Sequence, residues 1–259
     1  MASRKEQKIR TFREVSRTRR VDNWYRRQLK QVAAMIDLIA REYQGSDPQA
    51  YARNVQMELF DYAETLDQWA DLIARQFIAR VDEADRLTWR QLGDELAADT
   101  KRRIRDMRGD PAYREMIRRQ VELIKSLPTE AAAKAQEIAR QGMANGERYT
   151  DIVDRIAGLG KITESRAVLI ARTESSRART DFTMMRAKAA GSTKFIWHTA
   201  GDGAVRESHR KLDGKIFDWS NPPVCDHGKG GAPIRALPGQ VFNCRCWSEP
   251  LFEKSIYEK

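Results

Sequence analysis

The chain has 259 residues, of which 41% are apolar and 32% are charged. This composition is typical of a soluble, helix-rich protein with one large or two ordinary domains, and it excludes collagen-like, disulfide-rich and wholly disordered chains. Its apolar runs, such as residues 167–171, are far shorter than the roughly 18 residues of a membrane span, so none is predicted.

The positive charge is concentrated at the amino terminus. Eleven of the first 30 residues are Lys or Arg and three are Asp or Glu, so this segment supplies +8 of the net charge of +10. We interpret residues 1–22 as a basic, flexible arm that contacts DNA or an acidic partner; a solubilising tail is the alternative. The residues expected to make the contact are Arg4, Lys5, Lys8, Arg10, Arg13, Arg17, Arg19 and Arg20.

Apolar residues recur at helical spacing after the arm. The stripe that begins at Tyr25 and ends at Tyr43 predicts a first helix of about 20 residues. Asp47 and Pro48 are then placed to cap and open a second helix. These helices begin a predicted helical body that comprises residues 23–127, in which each stripe needs other helices to cover it.

Further helices are predicted up to Gly191. The stripe from Val55 to Leu87 predicts one long helix, or two with a break near Gly93. Pro128 is expected to end a helix, and Thr163 to cap the last one. The ranges expected for the later helices are 110–127, 129–145, 150–158 and 163–190.

The composition changes at Gly191. Five of the eight prolines and every cysteine and histidine follow it. Alternating residues predict short strands, separated by proline-rich loops, near 195–199, 216–219 and 246–251. The predicted fold is mainly α, with an elongated helical N-terminal body and a small α+β, loop-rich C-terminal module. The second domain is placed at 128–259, with helices over 128–190 and the sheet and Cys/His loops over 192–259.

Five potential metal ligands lie in this loop-rich module. A small module buries little apolar surface and usually needs a staple, and a closed structural zinc site needs four Cys or His ligands. The sequence therefore favours a structural zinc site as one interpretation, while reduced thiols without metal or a disulfide remain alternatives. The predicted ligands are His209, Cys225, His227, Cys244 and Cys246.

One carboxylate in the last predicted helix is expected to need a partner. By helical spacing, Glu174 shares a face with apolar residues, which turns it toward the C-terminal module. Arginine pairs well with a partly buried carboxylate, so we expect Arg206, Arg210 or Arg245 to contact Glu174.

Catalytic interpretations of the module have little support. His198, Asp202 and His209 are compatible with a metal-dependent nucleic-acid enzyme, but no Ser-His-Asp, phosphate-loop or HExxH arrangement is present. A DNA-binding regulator is a further alternative, although the cysteine spacing does not make a zinc finger. The residues therefore favour structural roles for these side chains, and the metal-dependent enzyme and the regulator stay as alternatives.

Several short motifs follow one another between residues 130 and 251, in an order that resembles the phage head morphogenesis family, the MuF-like minor capsid proteins. The motifs are Ala171-Arg172-Thr173-Glu174, residues 195–199, residues 205–209, residues 212–217, Pro238-Gly239 and Asn243-Cys244-Arg245-Cys246. Segment 224–236, with Cys225 and His227, departs from the family pattern. Apart from the potential metal ligands, the signature residues that the resemblance marks as structural are Arg172, Glu174, Trp197, Arg206, Gly214, Phe217 and Asn243.

The resemblance implies a structural minor capsid protein of a tailed phage, located inside the head near the portal vertex and in the host cytoplasm during assembly. It implies action in head assembly and in DNA packaging, retention or ejection. The expected partners are the portal protein, the major capsid or scaffold protein, and phage DNA. It implies no catalytic activity.

Overall fold

The computed structural model describes residues 15–42, 47–92 and 107–252 of the chain. No helix in these ranges is both long and apolar enough to cross a membrane.

The arm predicted at residues 1–22 is described only in part. Helix α1 begins at Val15, so its first turns lie within the predicted arm, and Arg19 and Arg20 are exposed on it. Arg17 also lies in α1. The remaining predicted contact residues lie outside the described residues: Arg4, Lys5, Lys8, Arg10 and Arg13.

The described chain is mainly helical, with short strands after residue 193, which confirms the predicted fold class. Six long or medium helices come first among the described residues: α1 Val15–Glu42, α2 Pro48–Thr65, α3 Asp67–Leu92, α4 Pro111–Ala144, α5 Tyr149–Ala157 and α6 Leu159–Ala189. The C-terminal part adds β1 Lys194–His198, α7 Glu207–Arg210, β2 Ile216–Asp218, β3 Val224–His227, a 3₁₀ turn at Lys229–Gly231, β4 Pro233–Arg235 and β5 Trp247–Leu251.

The described residues divide into two compact units. The helical unit contains 23–42, 47–77 and 115–171, and the mixed unit contains 15–22, 78–92, 107–114 and 172–252.

The helical unit buries the predicted apolar stripes. Tyr25 is fully buried, stacks on Phe77 with ring centroids 4.0 Å apart, and donates a 3.1 Å hydrogen bond from its hydroxyl to Gln120. Leu29 and Ile36 continue the same buried stripe along α1. Because apolar side chains three and four residues apart share one helix face, the sequence predicted this packing correctly.

The start of α2 also agrees with the sequence, but its end does not. The Asp47 carboxylate caps the helix by accepting a 2.8 Å hydrogen bond from the Ala50 N–H, and Pro48 occupies the first turn. The stripe from Val55 was expected to form one long helix, or two with a break near Gly93. The structure has a break at Leu66 that was not expected, and Gly93 lies outside the described residues. Leu66 keeps αR backbone angles and stays buried, so apolar periodicity contains no sign of the break.

Pro128 was wrongly expected to end a helix. It lies inside α4, and the apolar face is buried on both sides of it, at Leu127 and Ala131. Thr129 donates hydrogen bonds from its hydroxyl to the carbonyls of Lys125 (3.2 Å) and Ser126 (3.3 Å), which occupies acceptors near the proline. Burial of one continuous face thus outweighs the backbone hydrogen bond that proline removes.

The last helix begins earlier than predicted. Thr163 is buried inside α6 and donates a 2.9 Å hydrogen bond to the Leu159 carbonyl, so it is not a cap. Gly160 lies in the first turn, where an added Cβ would come within 2.3 Å of the Asp37 Cβ. Because α1 approaches so closely, a residue without a side chain is needed at this position.

Gly191 ends α6 as predicted. Its φ is +88°, and its N–H donates to the Lys188 carbonyl while the Ser192 N–H donates to the Ala187 carbonyl, at 2.9 and 2.8 Å. This is the Schellman arrangement that often ends helices at glycine.

The mixed unit contains two small sheets. The first is antiparallel with strand order β2-β1-β5, and Phe195 of β1 lies opposite both Phe217 and Pro250. The second is the antiparallel pair β3-β4. The sequence predicted β1, β2 and β5 but assigned the β3-β4 segment to loops, because Pro233 was interpreted as a loop residue; it begins an exposed strand, a position that tolerates proline.

The core of the mixed unit combines aromatic rings with a buried ion network. Trp197, Phe195 and Trp219 are buried together with Ala187 of α6. In the network, Arg186 pairs with Asp82 and Asp85, and the Thr183 hydroxyl donates a 2.7 Å hydrogen bond to Asp85. Arg186 is fully buried, so these partners are needed to stabilise its charge.

Candidate metal centre

Three of the five predicted ligands meet in the mixed unit. His209 lies in α7, and Cys244 and Cys246 lie in the segment that precedes β5; all three are buried. The Nδ1 atom of His209 lies 3.5 Å from the Cys244 Sγ and 3.4 Å from the Cys246 Sγ. The three ligand atoms lie within 4.8 Å of one another.

Neighbouring groups contact the cluster directly. The indole of Trp197 meets the His209 ring edge-on, with centroids 5.4 Å apart and planes at 72°. The backbone N–H of Cys246 donates a 3.4 Å hydrogen bond to the Cys244 Sγ. The cysteines are separated by one residue, so this turn directs both sulfurs toward the imidazole.

The two thiols and the imidazole of the cluster shift one another's pKa values. A hydrogen bond from Cys246, and a further one from His209, lowers the pKa of Cys244 to about 4 despite burial. The contact with Cys244 raises the pKa of Cys246 above that of an ordinary thiol, and burial acts in the same direction. Burial lowers the pKa of His209, but hydrogen bonds with Cys225 and Cys244 outweigh it and raise the pKa to about 9. The shifts at Cys244 and His209 both act toward the charged forms of these two groups.

The other two predicted ligands have different environments. Cys225 of β3 is fully buried in the same core as Cys244 and Cys246, and its thiol donates a 3.6 Å hydrogen bond to the Ile234 carbonyl. Its sulfur is outside the three-atom cluster. His227 is exposed at the end of β3. The structure therefore brings Cys225 next to the cluster and leaves His227 outside it. All three cysteines are free in the structure.

Residues 236–246, here called the cysteine loop, contact α6 through a glycine. Gly239 has a φ of +89°, and an added Cβ would lie 2.7 Å from the Ser176 Oγ and 2.8 Å from the Thr180 Oγ1. Thr180 donates a 2.6 Å hydrogen bond to the Pro238 carbonyl. The Pro-Gly motif thus allows the loop to approach the helix closely.

Asn243 is a second attachment point of the cysteine loop. It has a φ of +55°, and its backbone N–H donates a 3.1 Å hydrogen bond to the Thr173 hydroxyl. Arg172 donates a 3.2 Å hydrogen bond to the Asn243 side-chain oxygen. The Arg172-Thr173 motif of α6 therefore fixes the residue immediately before Cys244.

The sequence did not identify Arg177 and Gln240 as part of this attachment. Arg177 donates a 3.0 Å hydrogen bond from Nε to the Gln240 carbonyl, and the Gln240 side chain donates to Asp181 at 2.7 Å. Thr173, Arg177 and Asp181 are spaced by four residues and therefore lie on one helix face. This polar spacing was a signal in the sequence.

The predicted partners of Glu174 were wrong. Glu174 is buried and forms a 3.3 Å ion pair with Arg177 one turn further along α6. The arginines expected to pair with it contact other groups, because each lies next to a nearer acceptor. Arg206 donates to the Phe242 carbonyl at 2.8 Å and lies 3.4 Å from Asp226, Arg210 donates to the Gly203 carbonyl at 3.2 Å, and Arg245 pairs with Asp202 at 2.6 Å.

Two signature residues hold the strands near the cluster. Gly214 has a φ of +73° and donates a 2.8 Å hydrogen bond from its N–H to the Trp197 carbonyl. Phe217 of β2 packs against Phe195 of β1, with ring centroids 5.9 Å apart. Both contacts support the strand that places Trp197 against His209.

The residues behind the enzyme alternative have separate partners. His198 contacts Glu249 at 2.6 Å and stacks on Trp247, with ring centroids 4.2 Å apart. The Asp202 carboxylate is bound by Arg245, and this hydrogen bond lowers the pKa of Asp202. His209 faces the cysteines. The three side chains therefore contribute to three different local contacts.

Comparison with known proteins identifies relatives of this chain. A sequence profile described as phage Mu protein F-like protein matches residues 133–248. An uncharacterized protein of Haemophilus influenzae is 32% identical over 271 residues, covering 96% of this chain and 57% of that protein. Minor head protein GP7 of Bacillus phage SPP1 is 28% identical over 256 residues, covering 88% of this chain and 80% of GP7. No solved structure matches significantly.

These matches confirm the resemblance that the motifs indicated. The cysteine loop and its α6 attachment both lie within the matched residues 133–248. Residues 133–248 are therefore similar to the MuF-like family of phage head morphogenesis proteins. The chain spans little more than half the length of the Haemophilus influenzae relative.

Proposed function

We propose that this protein is a structural minor head protein, a component of the phage particle that acts in head morphogenesis and not as an enzyme. The observation that carries the proposal is its similarity to minor head protein GP7, which extends over 88% of this chain and 80% of GP7. A match over 88% of the chain extends well beyond residues 133–248 and includes most of the helical unit, so it supports a shared role for most of the chain.

The use of the signature residues supports a structural role. Arg172 and Asn243 bind each other, Arg206 binds the Phe242 carbonyl, and Gly214 binds the Trp197 carbonyl. These residues therefore maintain the fold of the mixed unit. Signature residues that bind other parts of the same fold are typical of a structural protein, and their contacts do not require a substrate.

The finer proposal is that the protein associates with the portal vertex inside the head and acts in DNA packaging, retention or ejection. Its partners would be the portal protein, the major capsid or scaffold protein, and phage DNA, with assembly in the host cytoplasm. The charge of +8 in the first 30 residues supports contact with DNA or an acidic protein surface.

Disruption of the gene in the phage or prophage that encodes this chain tests the structural role. The expected result is particles with defective heads or reduced DNA content, restored when the chain is supplied from a plasmid. Heads of normal number, composition and DNA content without the chain would contradict the role.

A salt series tests the contribution of the basic arm to DNA contact. Double-stranded DNA binding by the purified protein is compared with that of an Arg19→Gln/Arg20→Gln variant; both side chains are exposed on α1. The slope of log affinity against log salt is expected to fall by about 0.9 for each phosphate that the variant no longer neutralises. The matched control, Arg53→Gln/Arg114→Gln, removes the same charge from exposed positions elsewhere and should keep the slope. Equal slopes for both variants would contradict the arm's role.

Portal association is tested separately by co-purification with the portal protein. We expect retention of the wild-type chain and weaker retention, at the same salt, when all eight predicted arm contacts are changed to Gln. Retention of neither protein would contradict the portal partnership, and equal retention would exclude the arm from it.

A further inference from the structure

The three-residue cluster has the dimensions of a tetrahedral zinc site. Zinc bonds of about 2.3 Å to sulfur and about 2.0–2.1 Å to nitrogen separate these two ligands by about 3.5 Å in a tetrahedron. The His209 Nδ1 lies 3.5 Å from one cysteine sulfur and 3.4 Å from the other. Both separations therefore match the edges of a zinc tetrahedron.

Hydrogen bonding alone does not account well for this arrangement. An imidazole nitrogen offers either one N–H or one lone pair, yet the His209 Nδ1 faces two sulfurs at nearly equal distance. One metal ion would bind all three atoms at once. The negative charge of the thiolates would also offset the divalent charge of the ion inside the buried site.

The choice of metal follows from the ligands. Thiolate and imidazole together favour zinc, whereas magnesium and calcium prefer oxygen ligands. The exposed fractions of His209, Cys244 and Cys246 are 2%, 3% and 5%. A site closed to water needs a fourth ligand from the protein. Cys225 is fully buried, belongs to the same apolar core as Cys244 and Cys246, and lies on β3, which packs against α7.

We propose that His209, Cys244 and Cys246 bind one zinc ion, with Cys225 as the fourth protein ligand. The ion would link α7, the β3-β4 hairpin and the cysteine loop directly, in addition to the core that they already share. Because every ligand comes from the protein, the site is structural. The proposal goes beyond the function proposed above and does not depend on it.

Metal analysis of the full chain, purified without a histidine tag, is the first test. We expect about one zinc per chain, its loss on prolonged chelation, and its recovery when zinc alone is added back. Cobalt added in place of zinc should give the visible bands of a tetrahedral site and sulfur-to-cobalt charge transfer in the near ultraviolet. Failure of the reduced, folded protein to bind zinc or cobalt would overturn the proposal.

Matched variants assign the ligands. His209→Ala should lose the bound zinc, whereas His209→Cys should retain one ion because cysteine supplies another ligand. His227→Ala is the control, since His227 is exposed and lies outside the cluster, and it should bind zinc like the wild type. Full zinc affinity in His209→Ala would overturn the proposal. The His209→Cys variant and direct metal titration of the wild type keep the test valid if His209→Ala does not fold.

Cys225→Ser tests the fourth ligand. The dissociation constant for zinc should rise at least tenfold, and cobalt charge transfer should decrease because one sulfur ligand is removed. An unchanged dissociation constant and spectrum would overturn the assignment of Cys225. Thiol titration under denaturing conditions should find three free thiols in the metal-free chain; a disulfide between Cys244 and Cys246 in the purified protein would overturn the zinc site.

Discussion

The two units are stabilised by different kinds of interaction. In the helical unit, apolar stripes such as that of Tyr25, Leu29 and Ile36 are buried, and many apolar residues of similar volume satisfy such positions. In the mixed unit, Arg186 and Glu174 are buried charges with specific partners, and the cysteine loop depends on particular hydrogen bonds. Polar contacts require defined atoms at defined positions, which explains why the recognisable motifs lie mainly in the mixed unit.

Removal of the proposed zinc ion is expected to have the largest effect and to separate the two units most clearly. Structural zinc contributes on the order of 10 kcal/mol to the folding of zinc-finger peptides. After chelation, hydrogen exchange should accelerate in the cysteine loop, α7 and the β3-β4 hairpin, while Asn23–Phe77 keeps its protection. Equal acceleration of hydrogen exchange in both units, or no acceleration in either, would contradict the different roles of the two units.

Breaking the buried ion network comes second. Asp85→Ala leaves Arg186 without one of its carboxylate partners in a buried site, and loss of one partner of a buried pair costs about 3–5 kcal/mol. Urea unfolding measures this loss. The control is Asp71→Ala in the same helix, whose partner Arg75 is exposed, and the expected cost is at most about 1 kcal/mol. Equal costs for the two variants would be inconsistent with a structural role for the network.

A methyl group at Gly239 should have the next largest effect. Gly239→Ala places a Cβ near Ser176 and Thr180 in a backbone with φ +89°, and we expect a loss of about 1–3 kcal/mol in the free energy of unfolding. Gly203→Ala is the control because no heavy atom lies within 4 Å of its added Cβ. Thermal unfolding of both variants gives the comparison; an unaltered Gly239→Ala protein would refute the close approach.

The smallest expected effect lies in the helical unit. Asp47→Ala removes the carboxylate that caps α2 and should cost about 1 kcal/mol. Asp61→Ala, an exposed change inside the same helix, should alter stability by less than about 0.5 kcal/mol. Chemical denaturation of the two variants distinguishes a cap from a surface charge, and equal losses would argue against the cap.

The sequence predicted most of the helical fold because apolar spacing and capping residues act locally. It failed at Leu66, where the buried stripe continues across a helix break, and at Pro128, where burial outweighs a local helix breaker. Local patterns contain no information about which long-range contacts compensate for such exceptions.

The sequence predicted which residue types form the candidate site, but it did not predict which individual residues belong to it. Clustered cysteines and histidines indicated a metal site, yet only the fold places His209 beside Cys244 and leaves His227 exposed. Cys225 lies on β3, in the β3-β4 hairpin, a segment that the sequence assigned to loops. The ligand set depends on tertiary contacts between segments distant in sequence, which spacing alone does not determine.

The most direct test of the central claim is quantitative mass spectrometry of purified phage particles that encode this chain. Its peptides should remain with the heads through density-gradient purification. Their abundance in each gradient fraction should be proportional to the abundance of portal peptides in that fraction. Purified, DNA-filled heads that lack the chain, while the chain is abundant in the soluble lysate, would contradict its role as a structural head protein.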